Sequence, residues 1–310
     1  MTKRKFRGKV HQDPETALAR GPREVMASLW QEYLAAILRI SQESRRFQVL
    51  RRQVEEAAGF AEIFKAWNTL APQERAPAWH KLLVAARDAY QATLENCLRC
   101  GECCELGSPT LLTPDLALFQ QEVLTWNEVY TLRAGETVTS REGERATLKE
   151  ERLKVREVPG SRQCWFYLAA TGSCRIYQHR PEQCRRQNCW GEPGPEPETG
   201  EFLSRRHLLE KVPEVWDLIQ AHEERCTLPR VAWALAETER TPEETQDLLF
   251  EALHFDHYLR QMLITEWDLA PEALEFLLGR PLPEFLKTLG LSATLTPDGV
   301  FRLEAVSGEQ

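Results

Sequence analysis

Apolar residues in the first third of the chain recur at intervals of three and four positions, which is the spacing of helices with one buried face. The pattern predicts helices over residues 22–98. Its last apolar stripe starts at Trp79 and is continued by Cys97. A helix is therefore expected to begin near Pro77, with Cys97 at its end and Gly101 marking the stop.

The pattern changes in the middle of the chain. Residues 113–115 (Thr-Pro-Asp) and 125–128 (Thr-Trp-Asn-Glu) each place a capping residue ahead of apolar positions, and each predicts a helix start. Residues 146–158 mix β-branched and charged residues, which predicts that they pair with each other as exposed strands. This part is therefore expected to contain both short helices and short strands.

The last third returns to helical spacing. Residues 191–201 are rich in Gly, Pro and Glu and predict a linker or long loop. Helices are expected over 203–224, 228–238 and 242–267. Residues 292–306 alternate around Pro-Asp-Gly, which predicts a small hairpin.

These patterns together predict a mainly α protein with a small cysteine-rich α+β module in its middle. The expected organisation is a helical N-terminal region (1–93), the cysteine module (94–190), a linker (191–201) and a helical C-terminal region that ends in the hairpin (202–310).

Charge changes this picture little. The chain has 310 residues, a net charge of −8 and 42% hydrophobic residues, as expected of a globular protein. The acidic balance argues against nucleic-acid binding through the whole surface. A basic arm at the start is expected to be a solvated, disordered segment, although such arms can also contact RNA, acidic lipid or an acidic partner: Lys3, Arg4, Lys5, Arg7 and Lys9.

The cysteine chemistry depends on the compartment. Residues 11–24 are polar where a signal peptide would be apolar, and no run approaches the roughly 18 apolar residues of a membrane-spanning helix. We therefore expect a cytoplasmic protein without membrane contact, in which thiols stay reduced. The nine cysteines also leave one unpaired in any all-disulfide scheme. Clustered thiols in this setting favour a metal site.

Eight of the nine cysteines form two groups. The first lies in CLRCGECCE and comprises Cys97, Cys100, Cys103 and Cys104. The second lies in residues 164–190 and comprises Cys164, Cys174, Cys184 and Cys189. Four thiolates suffice for tetrahedral zinc or for an iron–sulfur cluster, so eight could serve two sites, or one site with spare or redox thiols. The ninth, Cys226, is expected to be buried and inert.

The sequence around the second group of cysteines predicts its local structure. Residues 164–177 predict two short strands around a turn, which brings Cys164 and Cys174 to one end of a hairpin. Pro181 suits the first turn of a helix, which places Cys184 near a positive helix end. Arginines crowd both groups, and we expect them to offset thiolate charge and lower the thiol pKa values: Arg99, Arg162, Arg175, Arg180, Arg185 and Arg186.

These motifs resemble the CxxCxxCC cysteine-cluster family of zinc- or iron-chelating domains. The residues that carry the resemblance are the first four cysteines, Cys164 with Phe166 and Leu168, and a stretch that runs from Cys174 to Arg185: Cys174, Ile176, Tyr177, Arg180, Pro181, Cys184 and Arg185. It covers residues 94–190, about a third of the chain. It implies metal binding, often with an assigned iron–sulfur oxidoreductase role but no defined reaction. A flagellin lysine methylase carries a similar module, so a methylation-linked activity is also conceivable.

Three functions stay open. The first is a protein that holds an iron–sulfur cluster or zinc and passes electrons or senses oxidants, with the same eight cysteines as ligands and an unknown redox partner. The second is a zinc-stabilised binding or scaffold protein without catalysis, whose helices bind an unknown protein partner. The third is a protein-modifying enzyme linked to methylation. An iron–sulfur oxidoreductase is the only enzyme class that the metal module itself suggests, and no catalytic residue is identified.

Other motifs are weaker indications of function. His254 and His257 lie one helical turn apart and could bind metal weakly, although exposed histidines are more often solvated. His179, next to Arg180, could be a ligand or a proton carrier, although a structural role is favoured. The chain contains no phosphate-binding glycine loop, dinucleotide fingerprint or GxSxG motif.

Overall fold

The computed structural model of the protein describes residues 18, 20–93, 97–139, 143–187, 197–198, 200–237 and 242–306. The chain divides into two compact units. Unit 1 comprises Met1–Glu102 and Gln187–Gly194, and unit 2 comprises Cys103–Arg186 and Pro195–Gln310. The domain boundaries expected from the sequence at 93, 190 and 201 stay predictions.

Unit 1 is helical, as its three- and four-residue spacing predicts. Its helices are α1 (Arg23–Leu38), α2 (Arg45–Ala58), α3 (Phe60–Ala66) and α4 (Pro72–Thr93), with a 3-10 turn at Trp67–Thr69. Ser44 caps α2, because its side chain accepts a hydrogen bond from the backbone N–H of Phe47. Trp30 and Trp67 are fully buried in the core of this unit.

Helix α4 corrects two details of the sequence analysis. It begins at Pro72 rather than near Pro77, because proline suits the first helical position and Glu74 accepts the N–H of Ala71 just ahead of it. It ends at Thr93, and Cys97 lies in an irregular segment instead of completing the helix.

The chain passes into unit 2 within the short helix α5 (Glu102–Glu105). The further helices are α6 (Leu116–Gln120), α7 (Glu182–Arg186), α8 (Arg205–Leu209), α9 (Pro213–Cys226), α10 (Leu228–Glu237), α11 (Pro242–Thr265), α12 (Pro271–Leu278) and α13 (Leu282–Thr288). Of the three helices expected after residue 202, the first is divided into α8 and α9, whereas the other two are present as α10 and α11. The mainly α fold class is confirmed.

Unit 2 also contains four two-stranded antiparallel sheets. The strands are β1 (Val129–Leu132), β2 (Thr137–Thr139), β3 (Arg145–Thr147), β4 (Arg152–Val155), β5 (Tyr167–Leu168), β6 (Ser173–Cys174), β7 (Leu291–Leu295) and β8 (Phe301–Ala305). The pairs are β1 with β4, β2 with β3, β5 with β6, and β7 with β8. The hairpin expected at 292–306 is confirmed as β7–β8.

The middle strands differ from the expectation in one respect. The strands within 146–158 do not pair with each other, because β3 pairs with β2 and β4 pairs with β1. Leu153 and Val155 of β4 are buried rather than exposed. The predicted helix start at 125–128 is only a 3-10 turn (Trp126–Glu128), because the chain enters β1 directly at Val129.

Buried charges join the cysteine-containing part of unit 2 to its later helices. The side chains of Arg133 and Arg205 are 2% and 1% exposed. The Glu223 carboxylate on α9 accepts hydrogen bonds from both, at 2.8 Å from Arg133 Nη2 and 2.7 Å from Arg205 Nη2. Burial alone would raise the pKa of Glu223, but the two guanidinium groups lower it to about 2.

A second buried polar group lies between α9 and α11. The Nε2 of His222 is 2.8 Å from Oδ1 of Asp256, and Arg260 Nε donates to the same oxygen at 3.0 Å. Burial lowers the pKa of His222, so the ring is neutral and donates from Nε2 to the carboxylate. No local pattern marks this pair, because its two members lie 34 positions apart and meet only when the helices pack.

Within the part of the chain that the structure describes, no helix combines the length and the apolar character that crossing a membrane requires.

Candidate metal centre

The CC pair of the first cysteine group lies on α5. The Sγ atoms of Cys103 and Cys104 are 4.0 Å apart. Two thiolates on one tetrahedral ion would be separated by about 3.8 Å, given a metal–sulfur bond of about 2.3 Å. The pair therefore has the spacing of two ligands of a single ion.

The backbone links this pair to the second cysteine group. The N–H of Cys164 donates to the carbonyl oxygen of Cys104 at 2.7 Å. Cys164 also forms an isolated antiparallel bridge with Glu157, which places it just before the β5–β6 hairpin. Cys174 lies on β6 opposite Tyr167. The expected hairpin is present but shorter than predicted: β6 carries Cys174, whereas Cys164 precedes β5 and adjoins the CC pair.

Cys184 is held by contacts of its own short helix. α7 begins at Glu182, as Pro181 predicts, and Cys184 lies in its first turn. Oδ1 of the buried Asp115 accepts the N–H of Glu182 at 2.8 Å, while Oδ2 accepts the N–H of Leu112 at 2.9 Å. Gln183 Oε1 accepts the N–H of Thr110 at 2.7 Å.

Asp115 and Gln183 are thus supporting residues that the sequence analysis missed. The Thr-Pro-Asp motif predicted only a helix start with a capping residue. One carboxylate oxygen of Asp115, however, serves a helix 67 residues away, and no local pattern records such a contact.

The thiols of unit 2 are close enough to influence one another electrostatically. The pKa of Cys104 is raised above its usual range, first by its hydrogen bond with Cys103, then by burial and by the charges of Cys103, Cys164 and Cys184. Burial, with smaller effects from Cys174 and Cys103, raises the pKa of Cys164 to about 11. Without a cation these thiols are protonated, because each thiolate would repel its neighbours in a partly buried site.

The expectation that arginines lower these thiol pKa values is wrong for Cys104 and Cys164. The guanidinium groups contact other partners. Arg175 donates to the carbonyl oxygen of Trp165, and Arg180 lies over the ring of Tyr177 at 4.0 Å. Arg185 is 3.2 Å from the Glu182 carboxylate.

In unit 1, the first CxxC motif lies in the irregular segment that contains Cys97. The backbone N–H of Arg99 donates to Cys97 Sγ at 3.4 Å, and φ is positive at Arg99 (57°) and Gly101 (83°). In unit 2, a backbone hydrogen bond from Phe166 likewise lowers the pKa of the Cys164 thiol, against the larger effect of burial. In both cases the donor is the residue two positions later. Such N–H···S bonds favour a thiolate.

The eight cysteines that the structure describes form no disulfide. In the same residues, no three His, Cys, Asp or Glu side chains stand close enough together to hold a metal ion jointly. Cys189 lies outside the described residues. The donors nevertheless fit zinc or iron by their chemistry, since clustered thiolates are the ligands that these metals share in proteins.

The remaining candidate residues pack against other side chains, lie in a turn or are buried. The rings of His254 and His257 pack edge-on against Phe301, with centroids 5.1 and 6.0 Å away. His179 lies in the 3-10 turn Tyr177–His179. Cys226 is fully buried, and burial raises its pKa to about 12, as expected of an inert thiol.

Comparison with known families agrees with this arrangement of cysteines. Residues 96–207 match the family model CxxCxxCC, described as "Putative zinc- or iron-chelating domain". Residues 96–207 are therefore similar to this family of chelating domains. No curated protein and no solved structure matches the chain. The matched residues include all eight grouped cysteines and extend into α8 as far as His207, beyond the residues that carried the resemblance in the sequence.

Proposed function

We propose that the CxxCxxCC domain binds a metal ion through the thiolates of Cys103, Cys104, Cys164 and Cys184, and that this ion is zinc. The proposal rests on the 4.0 Å separation of the Cys103 and Cys104 sulfurs, which suits two ligands of one tetrahedral ion. Cys164 and Cys184 complete the set, because they are the other thiols whose charges act on Cys104.

In this role the metal stabilises the fold. A bound cation would stabilise four thiolates, and drawing Cys164 and Cys184 in to the Cys103–Cys104 pair would link α5, the segment at Cys164 and α7. A structural zinc site contributes on the order of 10 kcal/mol of folding free energy. The chain would then be a zinc-stabilised binding protein, with its function in the helices and with a cytoplasmic location that keeps the thiols reduced.

A redox centre is the second candidate, and one observation favours it. Unit 2 supplies a fifth thiol, Cys174, beside Cys164, which is more than one zinc ion needs. Next to Cys164, Trp165 is 39% exposed and offers an aromatic surface at which an electron-transfer partner could dock. The same cysteines could hold an iron–sulfur cluster, which would supply one-electron chemistry. The protein would then be an iron–sulfur oxidoreductase with an unknown partner.

Metal analysis separates the two candidates. The protein is purified without oxygen, and its zinc, iron and acid-labile sulfide are measured together with the visible spectrum. Stoichiometric zinc in a colourless sample supports the zinc proposal. Iron with sulfide and a broad absorption near about 400 nm replaces it with the redox candidate.

Two variants locate the site. Cys104→Ser is expected to lose most of the metal, because it removes a thiolate from the centre of the set. Cys226→Ala is the matched control, since this thiol is buried elsewhere and its Sγ contacts the carbonyl oxygen of Ala252. A native protein without metal, or equal metal in Cys104→Ser and native protein, would overturn the proposed site.

A further inference from the structure

The hairpin β7–β8 presents an open edge along β8. Hydrogen bonds between the two strands fall at even-numbered positions, since Thr296 N–H donates to Val300 O at 2.8 Å and Val306 N–H donates to Gly290 O at 2.8 Å. In an antiparallel pair the intervening residues direct their N–H and C=O groups outward. The outward groups of β8 are those of Phe301, Leu303 and Ala305.

In the described part of the chain these outward groups have no backbone partner, because the sheet ends at β8. β7 packs against α13, and its Ala293 is buried in the same core as Phe285. Natural proteins usually protect an open edge with proline, a bulge or repelling charges. The β8 edge has none of these over residues 300–306, and its two charges, Arg302 and Glu304, cancel.

The sequence of this edge is complementary to itself. In an antiparallel pairing of two copies centred on Leu303, Leu303 faces Leu303 and Phe301 faces Ala305. Arg302 of each copy then faces Glu304 of the other. Opposite charges in directly facing positions stabilise a pair of strands, whereas like charges destabilise it.

The same register also matches the ends of the edge. Val300 and Val306, which are 53% and 48% exposed, face each other across the pairing. The outward groups of Phe301, Leu303 and Ala305 fall at the hydrogen-bonded positions, and Arg302 and Glu304 fall where facing side chains are closest. Hydrogen bonding, charge and apolar contact therefore all select one register.

An apolar groove is lined by residues of both strands of the hairpin and of the helices, among them Leu235, Phe250, Leu291, Phe301 and Leu303. The face of the hairpin that carries Phe301 and Leu303 is therefore apolar, in contrast to the face that carries Arg302 and Glu304. A second hairpin at the β8 edge would extend a two-stranded sheet, which is marginal by itself, to four strands.

We propose that β8 is a homodimer interface at which two copies of this chain pair antiparallel about a two-fold axis through Leu303. The result is a continuous sheet in the order β7–β8–β8–β7. Its contacts are isologous, so the pairing closes at two copies. Because the interface is small, we expect a weak, reversible dimer.

Charge reversal tests the register. The mass of the protein as purified is followed by sedimentation equilibrium from about 1 to 100 µM, a range in which weak dimers dissociate. Arg302→Glu and Glu304→Arg each create two like-charge contacts per dimer and are expected to weaken dimerisation on the order of tenfold or more. The combined Arg302→Glu/Glu304→Arg variant restores both opposite-charge contacts and should dimerise like the native protein.

Two controls separate the paired edge from a general effect of charge on association. Arg206→Glu makes the same charge change at an exposed position on α8 and should leave dimerisation unchanged. Backbone amide exchange should slow with concentration at Phe301, Leu303 and Ala305, whereas the even-numbered amides are already bonded within the hairpin. A native protein that stays monomeric over the whole range would overturn the proposal and would leave the edge to a strand of another protein. Dimerisation that either single reversal leaves unchanged, or that the combined variant does not recover, would overturn it as well.

Discussion

Replacing Glu223 by Gln should destabilise unit 2 more than any change at an exposed ion pair. The carboxylate binds Arg133 through both oxygens, at 2.9 Å from Nε and 2.8 Å from Nη2, and it also accepts from Arg205. Glutamine has a similar size but no charge, and its amide nitrogen cannot accept a hydrogen bond from a guanidinium group. The variant therefore leaves buried positive charge without its counterion.

The expected loss in free energy of unfolding depends on which hydrogen bonds each arginine keeps in the variant. Arg205 retains Glu151, whose carboxylate it contacts through Nε at 2.9 Å. Arg133 keeps the carbonyl oxygen of Cys226 at 2.7 Å but no carboxylate among its described side-chain contacts. Breaking one side of a buried pair costs about 3–5 kcal/mol. Because the Glu223 side chain is 30% exposed, we expect the lower end, about 3 kcal/mol.

Urea unfolding followed by circular dichroism measures this loss. With a slope of roughly 2–3 kcal/mol/M for a unit of this size, the midpoint should fall by about 1 M. Glu210→Gln removes the exposed partner of Arg206 and should change the free energy of unfolding by less than about 0.5 kcal/mol. If Glu223→Gln behaves like Glu210→Gln, the buried network does not stabilise the fold as described.

Two further predictions concern pH and metal retention. Burial lowers the pKa of His222, so the folded protein keeps this ring neutral while the unfolded chain takes up a proton below about pH 6.5. The contribution of this ring to the free energy of unfolding is therefore complete above that pH and is lost as the pH drops. The loss is at most about 1.4 kcal/mol at pH 5.5. Urea midpoints at about pH 7.5 and 5.5 measure this fall, which should shrink in His222→Gln. Asp115→Ala removes the acceptor for the Glu182 N–H at the start of the Cys184 helix, and metal transfer to a chelator should become about 10- to 100-fold faster.

Each of these predictions has a control. The carboxyl groups that act on His222 are Asp256 and Glu223, whose pKa values are both lowered, so their charges do not change between pH 5.5 and 7.5 and the ring is the member of this group that titrates there. A fall in stability that survives unchanged in His222→Gln would assign it to another group. Asp298→Ala, at an exposed position in the hairpin turn, is the control for Asp115→Ala. Equal chelator rates in both variants would show that Asp115 does not position Cys184.

Local patterns predicted the elements of this fold well. The Pro-Asp-Gly turn between alternating residues predicted β7–β8, and Pro181 predicted the helix that carries Cys184. Both depend on contacts within a few residues. The start of α4 was missed because two prolines, Pro72 and Pro77, offered the same local signal and only the first begins the helix.

The site was predictable only in part, for the same reason. Cysteine spacing identified the thiols, and local sequence predicted the hairpin that carries Cys174 and the helix that carries Cys184. It did not predict that Cys164 lies ahead of the hairpin strands. The raised thiol pKa values could not be predicted from local sequence. They depend on the distances between thiols and on the groups that the arginines contact in place of the thiols. Glu223 gave no signal either, since a glutamate on a helix usually faces water.

The hydrogen bonds between Glu223 and its two arginines bear on how far the folded unit must extend beyond the matched segment. Arg133 and Arg205 lie within the matched residues 96–207, whereas the carboxylate they share lies beyond them, on α9. A gene fragment that encodes only the matched segment would specify two internal cations and omit an anion they need. Proteins that carry the domain on a different helical background should therefore have changed these positions together, with uncharged residues in place of the arginines or an acidic residue supplied by another segment.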